Sequence, residues 1–157
     1  IQERTPFRLT DFFIPGYFGH AAIWIGNEQE LKDLGLWEHP LIVALHDKIR
    51  SGASIIEALR PGTQANTVKH FSDIDDFAIL RLKKPLEGEE LKRAILATAQ
   101  QYQKKYDFNF DVMTQRKLVC SEMMYIAFTG IDWRTEKSLG RFTINPDAVA
   151  ERGTPGG

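Results

Sequence analysis

Apolar positions recur along this chain with two spacings, and the switches between them divide it into short elements. His20-Ala21-Ala22-Ile23-Trp24-Ile25 is an apolar run rich in strand formers, closed by the turn signal Gly26-Asn27. It predicts a strand. A second strand is expected over 54–59, stopping at Arg60-Pro61-Gly62, and short ones over 67–71 and 76–82. Helical spacing takes over elsewhere. Residues 27–36 predict a short polar helix ended by Gly35, and 41–51 an amphipathic helix with Ile42, Leu45 and Ile49 inward. Residues 89–106 give the clearest helix, with Leu91, Ala94, Ile95, Thr98, Ala99 and Tyr102 on one face. A further helix runs from Cys120 to about Thr129-Gly130, and Pro146 opens a terminal helical turn. Residues 1–17 read as irregular, with a short helix or turn over Leu9 to Phe13 at most, and 153–157 as a disordered tail. No repeat or linker interrupts the pattern, so a single domain over 1–157 is expected. Its class is α+β: a small, mostly antiparallel sheet packed against a helix that carries Cys120 at its N-terminus.

Three residues on three of these elements carry potential chemistry. Cys120 is the single cysteine, so an intrachain disulfide and a cysteine-cluster metal site are both excluded. The turn Lys117-Leu118-Val119 leads through it into a helix whose apolar side is Met123, Met124, Ile126, Ala127 and Phe128. Unpaired N–H groups and the helix dipole there favour an anion, which would raise the thiolate fraction. His20 opens the first strand, and Glu57 stands inside the apolar run 54–59. A buried carboxylate is costly unless paired, and an imidazole is one partner that would satisfy it. Blander roles exist for each. Cys120 could be a small buried apolar group, His20 a hydrogen-bonded strand end, and Glu57 a salt-bridge partner of Arg60, Arg81 or a lysine.

Taken in order, the pieces resemble a known family, the circularly permuted papain-like hydrolases related to NlpC-type cell-wall peptidases, in their YiiX-like branch. The matching segments are Gly19-His20-Ala21-Ala22-Ile23-Trp24-Ile25-Gly26, Ile55-Ile56-Glu57-Ala58, Tyr106-Asp107-Phe108 and Leu118-Val119-Cys120-Ser121-Glu122. Histidine precedes cysteine, the reverse of ordinary papain-like enzymes and the order of the permuted ones. The Gly-Asp pair that usually stands ahead of the histidine motif is not found in residues 1–17. The resemblance implies a cysteine hydrolase with Cys120 as nucleophile, His20 as base, Glu57 as the orienting acid and Tyr106 beside the substrate. Cleavage of an amide in a cell-wall peptide or small molecule, through a thioacyl intermediate and with no cofactor, is the activity implied. Two alternatives stand beside it: a lipid acyl hydrolase or acyltransferase, with Phe12, Phe13, Ile14, Tyr17 and Phe18 as an apolar rim unless they are core, the reading the sequence favours, and an inactive papain-like binding module.

Composition narrows the field only slightly. A formal net charge of −1 gives no electrostatic case for nucleic acid as a partner. No apolar run approaches the roughly 20 residues needed to span a bilayer. The chain opens on Ile1, so loss of a preceding segment is expected, and the resemblance points to a periplasmic or cell-envelope setting. His39, His46 and His70 are expected to face solvent, and Glu38-His39 with His46 does not give a zinc-ligand spacing. Glu122 is expected on the helix surface.

Overall fold

A computed structural model describes residues 2–4, 20–59, 62–72, 76–79, 82, 84–105, 122–129, 135–138 and 141–144. The strands are β1 (Gln2–Arg4), β2 (His20–Trp24), β3 (Ala53–Ala58), β4 (Thr63–Thr67), β5 (Asp76–Ala78), β6 (Thr135–Ser138) and β7 (Arg141–Ile144). The helices are α1 (Glu28–Asp33), α2 (Pro40–Val43), α3 (His46–Arg50), α4 (Val68–Phe71), α5 (Gly88–Ala99) and α6 (residues 122–127). Five strands form one sheet in the order β4-β3-β2-β1-β5, and β6 pairs with β7 apart from it. Every pairing among the described residues is antiparallel. The α+β class read from the sequence therefore holds.

β3 is buried along its whole length and β2 up to Trp24, so the middle of the sheet is covered on both faces. One face carries Ala21, Ile23, Ile56, Ala58 and Ala65 into the larger core, where they meet Leu31, Ile42, Leu45 and Ile95. Met123, Met124 and Ala127 of α6 join the same cluster. The other face carries Ala22 and Ile55, covered by Phe71 and Val68 of α4. Each fully buried Leu or Ile contributes about 1.5–3 kcal/mol of transfer free energy. The exposed ion pairs, such as Lys92–Glu89, contribute at most about 1 kcal/mol each, so the core and not the surface holds the fold.

The local chemistry of the ends explains where α1 and α2 start. Asn27 caps α1: its side chain accepts from the Glu30 N–H at 3.0 Å, and the Glu30 carboxylate accepts from the Asn27 N–H at 2.8 Å. His39 caps α2 through its ring, ahead of Pro40. The single helix expected over 41–51 is in fact two. The Leu45 N–H closes on the Ile42 carbonyl at 2.8 Å, a turn one residue tighter than the α-helix, before the Ile49 N–H restarts α bonding to Leu45. That tightening keeps Ile42 and Leu45 buried while turning His46 onto Trp37. The two rings stack 3.8 Å apart, and His46 Nε2 bonds the Trp37 carbonyl at 2.9 Å. His39 and His46 are thus half-buried structural residues rather than solvent-facing ones, whereas His70 is exposed.

Three further expectations change. Gln2–Arg4, read as irregular, forms β1 between β2 and β5. The strand expected over 67–71 is helix α4; Thr67 ends β4 and caps α4, accepting from the His70 N–H. The pair β6–β7 was not foreseen. The β3–β4 hairpin is also tied to the chain that follows α5. The Thr63 N–H bonds the Lys104 carbonyl, the Gln103 N–H bonds the Thr63 carbonyl, and Gly62 bridges to Lys105. A Cβ at position 62 would run into the Lys104 carbonyl oxygen, so the tie requires glycine there. Among the described residues no helix is long and apolar enough to cross a membrane.

Candidate active site

Register brings His20 and Glu57 together. Ala22 lies opposite Glu57 in the β2–β3 ladder, which places His20, two residues earlier on the same face, diagonal to it. His20 Nε2 and Glu57 Oε2 are 2.9 Å apart, with 1% and 3% of the two side chains exposed. Of the three residues assigned to catalysis, these two meet. Cys120 and Tyr106 lie outside the described residues. Glu122 is exposed on α6, as expected.

A third polar side chain completes the row. Asn66 Nδ2 donates to Glu57 Oε1 at 2.7 Å. It reaches there because Glu57 pairs with Gln64 and Ile55 with Asn66, so Asn66 is the diagonal neighbour of Glu57 on the side away from His20. Phe71 closes over the row, its ring centroid 5.9 Å from that of His20 and tilted by 31°. Both carboxylate oxygens of Glu57 therefore have partners, as a buried acid requires.

The electrostatics follow from these contacts. Burial pushes the Glu57 carboxyl up, but the hydrogen bond and charge of His20 oppose it, then the Asn66 hydrogen bond and the charge of His70. The net direction is downward from the ordinary value of 4.5, so Glu57 is ionised at neutral pH. An ionised carboxylate only accepts, which assigns the proton of the shared bond to His20 Nε2. The other ring nitrogen, Nδ1, is then the basic one in the neutral imidazole. The arrangement can take up a proton at Nδ1 and stabilise the resulting imidazolium.

The lowered carboxyl has a consequence for stability. At pH well above 4.5 Glu57 is charged in both folded and unfolded chains, and its contribution is fully present. As pH falls through that value the unfolded chain takes up the proton first, and the contribution is lost. Glu57→Gln should therefore be less stable than wild type at about pH 6, with the gap narrowing towards about pH 3. Urea unfolding of both proteins across that range checks it; a constant gap would mean that no ionised, bonded carboxylate is involved.

Among the described residues no group of three or more His, Cys, Asp and Glu side chains could hold a metal ion. No curated protein and no solved structure matches the chain. A family model does: the one described as permuted papain-like amidase enzyme, YaeF/YiiX, C92 family, matches residues 1–153. A match over nearly the whole length agrees with the order of motifs and with the α+β fold, and the chain belongs to the permuted papain-like amidases of the YaeF/YiiX, C92 family.

Proposed function

We propose that the chain is a cysteine amidase in which Cys120 is the nucleophile, His20 its base and Glu57 the residue that orients and charges that base. The observation that carries this reading is the buried His20–Glu57 pair. A buried ion pair adds little net stability compared with an apolar substitute, because desolvation offsets attraction. A buried imidazole and carboxylate with fixed proton positions are, by contrast, what general-base catalysis needs. Membership of an amidase family supplies the reaction class.

In the proposed sequence His20 Nδ1 takes the Cys120 thiol proton, and the sulfur attacks the substrate's acyl carbon. A C–S bond forms and the carbonyl oxygen becomes an oxyanion, held by backbone N–H groups at the start of the nucleophile helix. Collapse breaks the C–N bond, with the His20 proton passing to the departing amine. Water, deprotonated by His20, then attacks the thioacyl carbon; the C–S bond breaks, the acid leaves and the thiol is regenerated. Tyr106 is assigned beside the substrate, and small peptide amides are the proposed substrate class.

The reading imposes a geometric condition. Cys120 precedes α6, whose Met123, Met124 and Ala127 belong to the larger cluster, while His20 stands on the other face of the sheet. In the proposed enzyme the Cys120 sulfur lies within about 4 Å of a His20 ring nitrogen.

Alkylation of Cys120 by iodoacetamide tests the reading without a known substrate. Wild type should react well below the pH expected of a free thiol with pKa about 8.5, and His20→Ala should move the profile back towards it. An unchanged profile in folded His20→Ala would mean that thiol and imidazole are not coupled, and would leave a binding module as the better description.

A further inference from the structure

Nothing in the acyl-transfer scheme assigns a role to Asn66, yet its amide is bonded to the acid on which the scheme depends. Asparagine is a poor strand former, and Asn66 occupies the fourth position of the five-residue strand β4. Its neighbours there follow ordinary logic, with Ala65 buried in the larger core. What Asn66 makes is the 2.7 Å bond from Nδ2 to Glu57 Oε1.

The geometry points to Asn66 as a positioning residue: its amide clamps the Glu57 carboxylate so that Oε2 stays aimed at His20 Nε2. The terminal torsion of a glutamate is broad and roughly two-fold, so a carboxylate held at one oxygen can swing and exchange oxygens. Held at both, it cannot do so without breaking a charge-assisted hydrogen bond. The amide acts on charge as well as direction. It offers Oε1 a donor, which favours the ionised carboxylate and disfavours a protonated one. An ionised, correctly aimed Glu57 in turn favours the imidazolium that His20 becomes when it accepts a proton. Asn66 thus acts on His20 through Glu57, from the far side of the acid.

The groups acting on Glu57 from neighbouring elements are His20 from β2, Asn66 from β4 and the exposed His70 from α4. His70 contributes only through its charge, so the measurements are made in both the native and His70→Gln chains. The significance of the clamp for catalysis rests on the amidase reading; the clamp itself rests on the β2–β3–β4 register alone. One experiment separates the two. The His20 ring is titrated by NMR, and Cys120 alkylation by iodoacetamide is followed against pH, in wild type, Asn66→Val, Asn66→Ala and Asn66→Gln. Valine keeps strand propensity and removes the donor, alanine serves if valine overpacks, and glutamine returns an amide. In Asn66→Val or Asn66→Ala the His20 midpoint should fall by about half to one pH unit, and the alkylation profile should move to higher pH. Asn66→Gln should recover part of both changes, which a purely structural role would not produce. If both donor-free variants fold and leave the His20 midpoint in place, the clamp is wrong. If the midpoint falls while alkylation does not move, the clamp stands and the coupling of His20 to Cys120 is what fails.

Discussion

Cys120→Ala is expected to abolish acyl transfer while leaving the fold intact. Turnover of anilide and thioester reporter substrates should fall to the uncatalysed background, a loss of about 10³-fold or more in kcat. The reason lies in the proposed bond changes: without sulfur there is no thioacyl intermediate, and His20 has no nucleophile to deprotonate. No second thiol in the chain can substitute, because Cys120 is the only cysteine. The circular dichroism spectrum and melting midpoint should stay near those of wild type, since a Cys→Ala change removes one atom. Full activity in a folded Cys120→Ala protein would require the amidase chemistry of this family to run through another residue here.

Glu57→Gln is expected to give the second large effect, and its size is the informative part. Glutamine keeps the shape and one acceptor oxygen, but it loses the charge that stabilises the imidazolium and can present its NH₂ to His20. Either the amide donates to the ring or the ring turns, and in both cases the proton is no longer fixed on Nε2. A loss of about 10²- to 10⁴-fold in kcat is expected, smaller than that of Cys120→Ala, because the third member orients rather than reacts. KM should change little. Undiminished kcat would reduce Glu57 to a partner that satisfies a buried histidine.

Much of this site was legible in the sequence, and the part that was not has a physical cause. His20 and Glu57 stood out because one opens an apolar run and the other lies inside one, and a buried acid needs a partner within reach. Their pairing follows from strand register, which the turn at Gly26-Asn27 and the helices after it do not specify. Asn66 was missed for a related reason. The strand that contains it was read four residues too late, over 67–71, because Val68 and Phe71 looked like strand residues when they are the side of α4 that packs on the sheet. Folding the chain back at Arg60-Pro61-Gly62 as a hairpin would have put Gln64 opposite Glu57, and Asn66 on its diagonal. The split of α2 from α3 was hidden because Ile42, Leu45 and Ile49 bury equally well in one helix or two. β1 carried no signal: three residues are too few to show alternation.

The meander β2–β3–β4 has a consequence for the order in which the protein becomes reactive. Base, acid and amide all lie between residues 20 and 66 and are joined by neighbouring antiparallel strands. The β3–β4 pairing closes a short loop and the β2–β3 pairing a longer one through α1, α2 and α3, both spanning far less chain than lies between His20 and Cys120. Cys120 belongs to a later stretch of chain, beyond α5, and in the proposed enzyme would meet His20 only through a long-range closure. During synthesis the ribosome releases His20, Glu57 and Asn66 before the thiol is made. In the proposed enzyme, aligning the imidazole is therefore a local event of folding, and activating the sulfur is a global one. A nascent or partly unfolded chain would carry Cys120 as an ordinary, weakly nucleophilic thiol, so chemical reactivity and completed folding arrive together.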